Sequence, residues 1–87
     1  MYLVSCAVIF DTDDGILVDG PFLCGDLRQK ELAEKVATDL SNDKTMPGAV
    51  VVKINEYTNK SEAIKIINKY FSNMIKNIYE QERNINR

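Results

Sequence analysis

Hydrophobic and polar positions alternate with a period of two at the start of the chain, where Tyr2, Val4, Cys6, Val8 and Phe10 interleave with Leu3, Ser5, Ala7 and Ile9. The same period returns after an acidic break, with Ile16, Val18, Gly20 and Phe22 on one side. Two such runs around Asp13-Asp14-Gly15 predict a β-hairpin. A three-residue loop with Gly15 at positive φ pairs Phe10 with Val18 and Cys6 with Phe22, which gathers the large side chains on one face. A two-residue Asp14-Gly15 loop would set Phe10 against Asp19, and a slip of one residue reverses every side chain.

Further along, the period changes to that of a helix. Asp26, with Gln29 three residues on, spells a capping box, and Leu32, Val36 and Leu40 with Ala33 and Ala37 make one apolar stripe. Ser41 to Gly48 has loop composition. Val50, Val51, Val52 and Ile54 follow as a strand, since consecutive β-branched residues disfavour a helix. Asn59 and Glu62 then cap a second helix, whose stripe runs through Ile64, Ile67, Phe71, Met74, Ile75 and Ile78 to about Glu82. Ala63, Ile66, Tyr70 and Tyr79 widen that stripe beyond what one small sheet covers.

The order ββαβα predicts an α+β fold. A right-handed crossover through the first helix places the third strand beside the first, giving a mostly antiparallel three-stranded sheet of order 2-1-3 with two helices packed on one face. The opposite face would then carry Leu3, Ala7, Ile9, Leu17 and Val51. This set is too apolar to stay wet, so Leu3, Ile9, Leu17 and Val51, with Ile66 and Tyr70 on the second helix, are the expected oligomer interface.

Composition changes this picture in two ways. The chain has 87 residues with 45% hydrophobic content, which makes residues 1–87 a single small domain. It has no histidine, so the commonest general base and metal ligand is missing, and nothing calls for a cofactor or a metal. Cys6 and Cys24 are at best diagonal neighbours in the hairpin and are read as packing residues, although Cys24, placed near a helix start, could favour a thiolate. Leu3-Val4-Ser5-Cys6 imitates a lipoprotein cleavage site, but no basic or apolar segment precedes it, and no run approaches the roughly 20 apolar residues that span a bilayer. The expected location is the cytoplasm.

Charge is divided unevenly along the chain. Residues 1–56 hold ten acids against five bases, and residues 57–87 hold six bases against three acids, within a net charge of −2. Lys69, Lys76 and Arg83 recur every seven residues and share a helix face with Lys65 nearby. That stripe is either a solvated face or a site for an anion or an acidic partner. An acidic chain of pI near 5.0 lacks the broad positive field that nucleic acid requires, so nucleic acid is not an expected partner.

Candidate chemistry concentrates in Val8 to Gly20, VIFDTDDGILVDG. Ala7 to Phe10 supply a hydrophobic strand, Asp11 and Asp13 an acid pair, and Gly15-Ile16-Leu17 a tail. This stretch resembles motif I of the haloacid dehalogenase-like phosphatases, and the resemblance implies Asp11 as nucleophile, Asp13 as general acid and a magnesium ion. Asp14 is inserted before the glycine where the motif has none, and 87 residues do not hold the doubly wound sheet that returns that family's lysine and second acidic pair. Gly20 to Gly25 has the glycine spacing of a phosphate loop, but Asp26-Leu27 stands where Lys and Ser/Thr belong. Asp11, Asp13 and Gly15 hint at a calcium loop, which lacks its bidentate Glu because Phe22 holds that place.

The function expected from these observations is that of a small non-catalytic binding protein. It would act by stoichiometric association as a homo-oligomer, dimer or larger, like the inhibitors and sequestering proteins of phages and other mobile elements. Its target would be a protein or a small anionic ligand, met through Lys65, Lys69, Lys76 and Arg83 or through Asp11, Asp13 and Asp14. The alternatives are a minimal Asp-dependent phosphatase-like enzyme and an antitoxin-like regulatory module.

Overall fold

A computed structural model describes residues 1–85, with side chains through residue 81. Its elements are β1 (Tyr2–Thr12), β2 (Gly15–Leu27), α1 (Lys30–Ser41), β3 (Ala49–Glu56) and α2 (Lys60–Ile85). The strands form one antiparallel sheet of order β2-β1-β3, so the α+β class and the 2-1-3 order read from the sequence hold.

The hairpin closes one residue earlier than expected. Thr12 pairs with Gly15, leaving Asp13-Asp14 as a two-residue turn, and Phe10 faces Leu17 in place of Val18. Gly15 does take the positive φ, at 122°, and the Thr12 hydroxyl donates to its carbonyl at 2.5 Å. The expected partner of Cys6, Phe22, is nevertheless the observed one, because the register shifts between Cys6 and Val8 and again between Val4 and Ser5. The first extra residue of β2 falls at Gly20-Pro21 and the second at Cys24. Proline has no N–H for the ladder, and Gly20, at φ 123°, brings its backbone against Ala7, so the irregularity settles there and not in the turn.

The faces of the sheet are also assigned differently. Leu3 and Ala7, expected on the wet side, are buried in a cluster with Ala63, Ile67 and Phe71 of α2, and Val18 and Val51 pack against it. Val4, Cys6 and Val8 alternate to the other side and are buried as well, so the central strand is covered on both faces. With both faces apolar, alternation in β1 cannot say which one takes α2. Helix α1 crosses all three strands, most closely β3, and makes no contact with α2 among the described residues. Its buried residue is Ala33, whereas Leu32 is half-exposed, so the stripe is turned by about one position from the expected one.

The helix starts show what is local and what is not. At α2, the Glu62 N–H donates to Asn59 Oδ1 at 3.3 Å, as the capping pair predicts. At α1, the cap position belongs to Gln29 with no side-chain bond, and Asp26 stays in β2. Asp26 is thereby free to bond Tyr57 and Lys60.

Candidate functional site

The pairing of β1 with β3 stops at Ile9 and Ala49, while that with β2 continues to Thr12 and Gly15. The end of the hairpin therefore projects past the sheet as a two-stranded ribbon. Asp11, Asp13, Asp14 and Asp19 are exposed on or beside it, together with Leu17 at 56% exposure. Among the described residues no cation forms an ion pair with any of these four carboxylates. The ribbon thus offers concentrated negative charge around one apolar side chain. The phosphatase motif places its acids after a strand that runs into a loop, whereas here Asp11 lies in a β-ladder opposite Ile16 and Asp13 in the hairpin turn. Among the described residues, no three acidic or cysteine side chains converge to hold a metal ion.

The second charged surface is the exposed side of α2. Lys65, Lys69 and Lys76 are all exposed there, and the side chain of Arg83 lies outside the described residues. No ion pair joins these lysines to the ribbon among the described residues, so the two candidate charge sites are separate within one chain.

The six residues expected at an oligomer interface divide. Leu3 is a correction, because at 1% exposure it is core beneath α2, and Val51 packs against the same cluster. Ile9 is half-buried in the central strand, at the end of its pairing with β3. Leu17, Ile66 and Tyr70 remain exposed, the last two on the β3 side of α2. Tyr70 stands edge-on to Phe71, with ring centroids 5.1 Å apart, and the Lys53 ammonium of β3 lies 4.3 Å from its ring centre. Tyr70, Met74 and Ile78 also line an open groove of about 340 Å³ along the helix.

Sequence reading missed one polar cluster. The Tyr57 hydroxyl donates to Asp26 Oδ1 at 2.6 Å, and Lys60 Nζ sits 3.0 Å from Asp26 Oδ2. These contacts tie the end of β2 to the β3–α2 junction, where the Tyr57 N–H also donates to the Met1 carbonyl at 2.9 Å. The Tyr57 hydroxyl first, and then Lys60, hold the Asp26 carboxyl below its usual 3.8, and the Asp26 carboxylate in turn raises the Tyr57 phenol above its usual 10. A lowered acid stabilises the fold above its unfolded value and loses that contribution as pH falls through the folded one; a raised phenol stabilises below 10 and loses it as pH rises further. Asp26→Asn should therefore give a stability profile flatter than wild type below pH 4 and above pH 10. Parallel urea-denaturation profiles for the two proteins would remove the cluster from the account of stability. The cluster is exposed, so its size is modest.

The cysteines do not add a site. Both are free, with Cys6 buried and Cys24 half-buried. Burial first, and then the Cys6 side chain, push the Cys24 thiol up to about 12, so it is protonated at neutral pH and no thiolate is favoured there. Cys24 lies in β2, not beside a helix start, which removes the reason to expect one.

Comparison with protein families, curated proteins and solved structures finds no match. Among the described residues, no helix is long and apolar enough to cross a membrane.

Proposed function

We propose that this chain is a non-catalytic binding protein of the inhibitor or sequestering kind, acting by stoichiometric association, and that its acidic ribbon is the contact for a basic partner protein. The observation that carries this reading is the projection of the hairpin beyond β3 with Asp11, Asp13, Asp14 and Asp19 exposed around Leu17. A cluster of one sign on a protruding element raises the rate of encounter with an oppositely charged surface, and an exposed apolar side chain within it supplies area to bury. The basic side of α2 is suited to acidic groups, so one chain carries two surfaces of opposite sign.

The test is co-purification from the native host with the wild type and with a variant in which Asp11, Asp13, Asp14 and Asp19 are all changed to Asn. A basic protein should be recovered in stoichiometric amount with the wild type, released by added salt, and bound about tenfold or more weakly by the variant. The variant should melt like the wild type, since the four carboxylates lie in solvent. Undiminished binding by the variant would sink the ribbon reading. Magnesium-dependent release of phosphate from an aryl phosphate, abolished by Asp11→Asn, would replace it with the enzymatic one.

A further inference from the structure

The two edges of the sheet are unlike. The outer edge of β2 is broken by Pro21, by Gly20 at positive φ and by two shifts of register, all devices that keep another strand from pairing there. Strand β3 has none of these. Ala49–Glu56 contains no proline or glycine, and its register against β1 is unbroken from Ile9 to Tyr2. Its one interior charge, Lys53, is turned aside over the Tyr70 ring. Beside this open edge stand Ile66 and Tyr70, two half-exposed apolar side chains of α2, at 56% and 40% exposure.

We propose that a second copy of this chain occupies the edge, with β3 pairing antiparallel to its own copy across a two-fold axis and the α2 helices meeting along the Ile66–Tyr70 flank. The inference does not depend on the ribbon reading. A two-fold axis normal to the sheet makes strands and helices antiparallel together and joins the two sheets into one of six strands. Register is restricted by charge: an axis through Lys53 would set two ammonium groups opposite each other, whereas an axis at Val52 or Ile54 avoids this.

Charge also favours a second copy as the occupant. Tyr70 is the α2 residue that Lys53 marks as lying over β3, so the helices cross near it. Glu62 lies eight residues before Tyr70 and Lys76 six after it, so antiparallel helices bring Glu62 of one copy within a turn of Lys76 of the other, and Ile66 meets Met74. Both charged side chains are exposed and without an ion pair among the described residues. A parallel arrangement would instead set Lys69 and Lys76 against themselves.

Sedimentation equilibrium of the whole chain tests this, together with amide exchange at low and high concentration. The expected result is a dimer at about 50 μM whose β3 amides gain protection with concentration. Tyr70→Glu should raise the dissociation constant about tenfold or more while leaving a cooperative melt. Glu62→Lys and Lys76→Glu should each weaken the dimer, and the two together should restore it. A monomer at about 100 μM with a normal melt would overturn the proposal and leave the flank to a different protein. So would a dimer whose β3 amides are indifferent to concentration, or one that both single charge reversals leave unchanged.

Discussion

Phe71→Ala is expected to cost about 3 to 5 kcal/mol, out of the roughly 5 to 15 kcal/mol that separates a domain of this kind from its unfolded state. Phe71 is fully buried and sits with Ala63 and Ile67 against Leu3 and Ala7, so the cavity left by truncation opens at the contact that holds α2 on the sheet. For a chain of this size, a thermal midpoint falls about 4 to 8 °C for each kcal/mol, so the variant should melt at least about 12 °C lower or not fold cooperatively at all. The informative comparison is Phe22→Ala. The alternation of β2 assigns Phe22 to an inward face, yet it is 46% exposed and should cost about 1 kcal/mol or less. Urea denaturation followed by circular dichroism measures both, with Phe71→Leu as the milder replacement if Phe71→Ala does not fold. Equal losses from Phe22→Ala and Phe71→Ala would contradict the position of α2.

Gly20→Val should be nearly as damaging, at about 3 to 4 kcal/mol. Two effects add: strain of a β-branched residue held at φ 123°, and overlap of the new Cβ, 3.0 Å from both Ala7 Cα and the Cys6 carbonyl oxygen. Both neighbours are backbone of the central strand and cannot move aside as a side-chain end would. Gly25→Ala is the control, because its Cβ would meet nothing closer than 3.7 Å and its φ is ordinary. That change should alter stability by no more than about 1 kcal/mol in either direction. Thermal melts of the two variants measure the difference, and a wild-type midpoint for Gly20→Val would rule out the bulge at Gly20-Pro21.

The acidic ribbon was legible before any tertiary structure, since Asp13-Asp14-Gly15 between two alternating runs can hardly be anything but the end of a hairpin, and acids at a turn face water. Its reach was not. That Phe10 to Leu17 project beyond the sheet depends on where β3 stops, at Ala49 opposite Ile9. The Asp26–Tyr57–Lys60 cluster was invisible for a related reason. Asp26 and Tyr57 lie 31 residues apart, and no periodicity links them. The spelling of Asp26 and Gln29 pointed to a cap that the chain does not use.

What the sequence by itself determined is the part decided within a few residues, namely the order of strands and helices, the Asn59 cap of α2 and the positive φ of Gly15, together with the order 2-1-3, which follows from the handedness of the crossover through α1. These depend on local sterics and on nearby hydrogen bonds, which act the same way wherever the element is packed. The tertiary structure decided which face of β1 receives α2 and where the hairpin places its extra residues. Leu3 and Ala7 compete with Val4, Cys6 and Val8 on nearly equal apolar terms, so the choice is made by the long stripe of Ala63, Ile67 and Phe71, not by β1. The bulge rests on the approach of Gly20 to Ala7, a contact that forms only once the two strands lie together.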